Sequence, residues 1–222
     1  MVFPVGDENR RGAPFPYANV TLVAINVLVF IYMLTLSQTS LDGFVYRFGT
    51  IPAQIRQGQD LFTLITSQFV HGGWLHIFGN LIFLWVFGDN IEAALGHIPY
   101  LIFYLAAGIV AALTHVLFNL DSTIPSIGAS GAIAGVLGAY IVLFPAHEVR
   151  VWVFPFVFWL TRVNAVVFLG VWALLQLFNG LASLGVQTAQ TGGVAVWAHV
   201  GGVVTGLIVG ALGRRAGLDK RG

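Results

Sequence analysis

The feature that most limits what this chain can fold into is a recurring absence of charge. Long apolar runs lie at roughly Ala18 to Leu36, Leu75 to Ile91, Pro99 to Phe118, Ile127 to Phe144, Val163 to Leu184 and Val194 to Leu212. Only the second admits a Lys, Arg, Asp or Glu, at Asp89. Runs of about 18 or more apolar residues match the thickness of a bilayer core. Backbone polar groups in hydrocarbon have to be satisfied within their own segment, so helices are the spanning form expected. The alternating pattern of a membrane barrel is absent. A soluble core is a poor alternative for a chain that is 57% hydrophobic, 9% charged and of mean hydropathy +0.85.

The connections complete an all-α membrane protein with six spans. Met1 to Tyr17 reads as a polar head broken by Pro4, Pro14 and Pro16, not as a cleavable signal peptide. Ser37 to Trp74 is long and aromatic for a loop (Phe44, Tyr46, Phe48, Phe62, Phe69), so it is expected to be structured and to lie partly in the interface. Pro145 to Arg162 is short, aromatic and interrupted by Pro155, which predicts an interfacial hairpin. With a cytoplasmic N-terminus, the inside sections hold Arg10, Arg11, Arg150, Arg162, Arg214, Arg215, Lys220 and Arg221, and the outside sections only Arg47 and Arg56. That asymmetry places both termini in the cytoplasm. The chain is expected to form a single domain over 1–222, with a helical core at 18–212, the head at 1–17 and a basic tail at 213–222. A net charge of +1 argues against a nucleic-acid partner, and the absence of cysteine excludes thiolate chemistry and disulfides. No cofactor is expected, and no histidine cluster has a spacing that indicates a metal.

This topology puts polar residues from distant segments at one depth. His71, His76 and Asn80 fall near the outer end of the second segment, and Ser130 near the outer end of the fourth. His199 lies roughly 9 Å along the axis below Gly193 in the sixth. Polar side chains within spans tend to face the bundle interior and to mark function. The fourth and sixth segments read Gly131-x-x-x-Gly135 and Gly202-x-x-x-Gly206-x-x-x-Gly210, spacings that let helix backbones touch. A hydroxyl and an imidazole brought together there make a nucleophile and its base. His76 and Asn80, at i and i+4, share a face. With the Ser130 N–H they could stabilise an oxyanion, or they could simply bond neighbouring helices.

A third, acidic member of a triad has no candidate at this depth. Asp89 and Glu92 lie roughly 20 Å further along the second segment, and Asp121 reads as solvated. A Ser–His dyad is therefore expected. The Gly-x-Ser-x-Gly elbow is not met, since position 132 is Ala. Of the remaining histidines, His115 is expected in the core, and His97 and His147 in solvent.

Gly128-Ala129-Ser130-Gly131, His71-Gly-Gly-Trp-Leu-His76-Ile-Phe-Gly-Asn80 and Ala198-His199-Val-Gly-Gly202-Val-Val-Thr-Gly206 together resemble the rhomboid family of intramembrane serine proteases. The resemblance spans segments two to six. It implies a six-helix bundle with a long structured first loop, and cleavage of peptide bonds in or near transmembrane segments of other membrane proteins. It implies Ser130 as nucleophile, His199 as base and acid, Asn80, His76 and the Ser130 backbone as oxyanion site, with His71, Gly128 and Gly131 in support. Glu92 matches an acidic residue with a structural role. The compact form suggests a prokaryotic plasma membrane, with the site toward its extracytoplasmic side.

The chain departs from the family pattern in two places. Many members carry Tyr or Phe four residues after the serine, packed on the histidine; here stands Ala134, which leaves that support to another aromatic. Many carry Trp-Arg nine residues before the first histidine; here stand Phe62 and Thr63. The competing reading is an inactive rhomboid-like protein that binds transmembrane helices, although such relatives usually lack the serine or the histidine. A small transporter would call for internal repeats and a midplane site, and neither is visible.

Overall fold

A computed structural model describes residues 2–8, 12–153, 160–183 and 196–220. In chain order it contains β1 (Val2–Gly6), α1 (Tyr17–Leu34), α2 (Gln38–Phe48), α3 (Pro52–Arg56), α4 (Thr63–Thr66), a 3₁₀ turn at Ser67–Phe69, α5 (Trp74–Leu95) and α6 (His97–Phe118). Then come α7 (Ser130–Leu143), β2 (Glu148–Val153), β3 (Leu160–Asn164), α8 (Ala165–Ser183), α9 (Val196–Arg215) and a closing 3₁₀ turn at Leu218–Lys220. Helices α1, α5, α6 and α9 are long and apolar enough to cross a membrane. Helix α7 and the stretch Ala165–Leu175 of α8 are apolar but shorter. The tip of the expected hairpin around Pro155, the polar loop Gly185 to Gly193 and Arg10, Arg11 and Arg221 lie outside the described residues.

Helix α7 is the centre of the bundle. Every residue from Gly131 to Tyr140 is buried, and α5, α6 and α9 all pack on it. Its contact with α9 is backbone to backbone. A methyl group on Gly202 would collide with the Gly131 carbonyl, and one on Gly206 with the Gly135 carbonyl. On the other side of α7, Ala111 and Ala107 of α6 fill the space beside Gly131 and Gly135. Small residues on all three helices thus remove the bulk that would hold the axes apart. The start of α9 is fixed by Trp197 stacked on Phe118, with ring centroids 3.8 Å apart.

The opposite end of the bundle from Ser130 is tied by polar groups. The buried Glu92 carboxylate accepts from the backbone N–H groups of Ala18 (2.9 Å) and Asn19 (2.7 Å). It thereby caps the first turn of α1, where free donors and the helix dipole favour an anion. His97 bonds the same carboxylate, so it is more than a solvated loop residue. Asn19 donates to the Leu84 carbonyl and accepts from Tyr100 Oη. These bonds hold α1, α5 and α6 at a common register.

The head contains a strand that sequence reading took as irregular. β1 pairs antiparallel with β2 (Val2 opposite Val153, Phe3 opposite Trp152), and β2 with β3 (Glu148 opposite Asn164), in the order β1-β2-β3. Pro4 is tolerated because β1 is an edge strand with a register irregularity before Gly6. Val149 and Val151 turn inward, fully buried. Asp7, just beyond β1, reaches Tyr140 of α7 (2.5 Å) and Asn90 of α5 (2.9 Å). Tyr140 also meets His147 at 3.1 Å, which holds that half-buried histidine against the end of α7.

Candidate active site

Helix α7 has 14 residues, about 21 Å of rise, against a hydrocarbon core of about 30 Å. The chain before Ser130 is non-helical, so its backbone polar groups have to be covered by partners from other parts of the protein. The covering comes from the connection between α1 and α5. Thr50 and Ser126 exchange both backbone bonds (2.9 and 2.8 Å), and the Ser67 carbonyl accepts from the Gly128 N–H at 2.9 Å. Thr50 Oγ1 is itself fixed by bonds to the Thr63 carbonyl and Ser67 Oγ. His71 Nε2 accepts from the Ala129 N–H at 3.5 Å. That bond requires an unprotonated Nε2, and burial, helped by nearby His76, lowers the His71 pKa to about 4. His71 is thus a neutral acceptor at neutral pH.

Gly128 brings this loop onto α5. Its φ of +119° suits glycine alone, and a β-carbon there would lie 2.6 Å from His76 Nε2 and 3.6 Å from Asn80 Nδ2. The residue two before Ser130 is therefore in contact with both polar side chains of the α5 face. The Gly72 N–H donates to His76 Nδ1 at 3.3 Å, so in the neutral ring the proton sits on Nε2, the atom aimed at Gly128. Asn80 is buried, and its Nδ2 has no hydrogen-bond partner among the described residues. A buried amide donor without a partner is costly unless something else uses it. Ser130 opens α7, where the first N–H groups have no intrahelical acceptor.

His199 stands on the turn of α9 that meets the start of α7. A β-carbon on Gly131 would lie 3.7 Å from Ala198 Cβ and 3.9 Å from the Ala198 carbonyl. Ser130 and His199 each follow or precede these touching residues by one position. His199 is buried at 6% exposure, and the Trp172 ring of α8 lies against it at 5.7 Å between centroids.

Of the residues singled out in the sequence, His71, His76, Asn80 and Gly128 form one contact set around the loop that leads into Ser130. Gly131 carries the contact between the helices of Ser130 and His199. The acids are elsewhere: Glu92 caps α1, and Asp121 pairs with Arg56 at 2.5 Å on the surface. Among the described residues no group of His, Asp and Glu could hold a metal ion. Sequence reading missed Thr50, Ser67 and Trp172, whose roles depend on partners far away in the chain. Only Ala134, small where an aromatic was expected, pointed toward a residue such as Trp172. At the second departure, the guanidinium of Arg47 lies 4.8 Å over the Phe62 ring and bonds Asp60 at 3.2 Å. An arginine–aromatic pair is thus assembled in this connection from positions 15 residues apart.

Comparison with known proteins points one way. The Rhomboid domain model matches residues 58–216. Rhomboid protein 1, mitochondrial, of Saccharomyces cerevisiae is 35% identical over 97 residues, 42% of this chain and 28% of that protein. RHOMBOID-like protein 4 of Arabidopsis thaliana is 31% identical over 157 residues, 71% of this chain and 35% of that protein. Rhomboid protease GluP of Bacillus subtilis is 30% identical over 126 residues, 57% of this chain and 24% of that protein. The chain spans about a quarter to a third of the length of these curated relatives.

Proposed function

Because the chain belongs to the rhomboid family, whose members include both intramembrane proteases and inactive proteins, we propose that it is a serine endopeptidase cutting transmembrane segments of other membrane proteins. Ser130 Oγ attacks the scissile carbonyl while His199 takes its proton, and the same imidazole then delivers that proton to the leaving amine. Water, activated by His199, hydrolyses the acyl-enzyme. The tetrahedral oxyanion is received by Asn80 Nδ2, His76 Nε2–H and the Ser130 N–H at the positive end of α7. The observation that carries this reading is the buried Asn80 donor beside Gly128, without a partner among the described residues and two residues from a serine that opens a helix. A packing serine would need no such donor.

The six apolar helices are read as six spans of a single membrane domain, with both termini cytoplasmic, the connection between α1 and α5 as a structured outer loop, and the site toward the extracytoplasmic face of a prokaryotic inner membrane. A substrate helix hides its carbonyls in i to i−4 bonds, so segments with helix-breaking and small residues near the cut are the better substrates.

The test is cleavage of a transmembrane substrate in liposomes together with fluorophosphonate labelling. Wild type should cleave and label. Ser130→Ala and His199→Ala should lose both by at least about 10³-fold while keeping wild-type thermal midpoints. A folded wild type that neither labels nor cleaves would instead be an inactive member.

A further inference from the structure

We propose that Trp172 is the positioning residue for the His199 imidazole, so that the ring orientation of the base depends on α8. The proposal rests on the serine-hydrolase reading above. A dyad lacks the carboxylate that in a triad holds the histidine's ring and tautomer, so packing against the ring carries more of its orientation. The candidate acids are committed to other partners: Glu92 to the start of α1, and Asp121 to Arg56. An indole packs against the imidazole. The two ring centroids lie 5.7 Å apart with the planes inclined at 41°, within the range of favourable aromatic contact.

The indole is itself held. Phe83 of α5, one turn below Asn80, lies 6.4 Å from it and 6.3 Å from Phe168, with which it stacks. Helix α7 leaves no room to supply such a ring from its own side. Ala134 is fully buried, and a β-carbon on the facing Gly202 would lie 2.9 Å from the Ala134 methyl. The close α7–α9 approach therefore excludes a large side chain at 134, and the ring against His199 comes from α8 instead.

The test uses the full chain in liposomes with a transmembrane substrate and a small fluorophosphonate, which reports the reactivity of Ser130 without transmembrane docking. Trp172→Phe keeps a ring, and Trp172→Leu keeps apolar bulk without one. The expected result is that Trp172→Leu lowers kcat and the labelling rate together by about 10- to 100-fold with KM nearly unchanged. Trp172→Phe should stay within about threefold of wild type, and the thermal midpoints of both should lie close to each other. Equal activity in the Leu and Phe variants would overturn the proposal, leaving Trp172 as filling. A raised KM with labelling untouched would also overturn it, making the residue a substrate contact. Failure of the underlying reading looks different: the wild type itself would not label.

Discussion

At the scale of single residues, the decisive feature is a donor kept waiting. Asn80 is buried with no partner for its Nδ2 among the described residues, a state that costs free energy comparable to a lost hydrogen bond. Asn80→Ala should therefore leave stability unchanged or slightly improved, because it removes an unsatisfied group. It should nevertheless lower kcat by about 10²- to 10³-fold, the usual cost of losing one oxyanion donor. Steady-state cleavage beside a thermal melt checks this, and loss of both activity and stability would mark Asn80 as a structural hydrogen-bonder. Residues of this kind were legible in the sequence because a polar group in an apolar run has few reasons to exist. Trp172 was not legible. An aromatic in a membrane helix is ordinary, and only the contact with His199, from a different helix, gives it meaning.

At the scale of elements, α7 and α9 pack backbone to backbone, so in the proposed dyad their separation sets the distance from Ser130 to His199. Gly206 faces the Gly135 carbonyl and the Ala139 nitrogen so closely that any β-carbon must move a backbone. Gly206→Ala should cost about 1–3 kcal/mol, as overpacking does. It should lower labelling by fluorophosphonate more than tenfold by moving Ser130 away from His199. Gly170→Ala on α8 is the control, since among the described residues no neighbouring group outside its own helix backbone lies within 4 Å of the added methyl, and it should be neutral or stabilising by up to about 1 kcal/mol. Chemical denaturation paired with labelling rates distinguishes the two, and equal behaviour would deny α7 and α9 their special contact. The helices themselves were readable from uncharged runs and small-residue spacing. Their true ends were less so. The run from Ile127 begins three residues before α7, because Ile127 to Ala129 are held in a loop by Ser67 and His71, partners that hydropathy does not reveal. β1 escaped for a similar reason: Pro4 argues against a strand until β2 is there to pair with it.

At the scale of the whole molecule, the end of the bundle opposite Ser130 is closed by the head of the chain. Asp7 bonds Tyr140 of α7 and Asn90 of α5, so the first strand ties together the far ends of the two helices that carry Ser130 and the pair His76 and Asn80. Burial, with the neighbouring Asp89 adding to it, raises the Asp7 pKa from 3.8 to about 7 despite the bonds from Tyr140 and Asn90. The native state therefore holds a proton that the unfolded chain has already released, and the stabilisation from neutral Asp7 is lost as pH rises from about 4 through about 7. A shift of about three units corresponds to roughly 4 kcal/mol over that range. Asp7→Asn keeps an acceptor for Tyr140 and removes the titration. Melts of the purified protein between pH 5 and pH 8 should show the wild type losing thermal stability as pH rises, and the Asn variant nearly level. With Asn90 and Tyr140 on the site-bearing helices, cleavage by the wild type should be more heat-sensitive at pH 8 than at pH 6, and that difference should shrink in Asp7→Asn. Parallel pH profiles for the two proteins would mean that Asp7 stays charged in its buried position and that the strand holds the helices by hydrogen bonds alone.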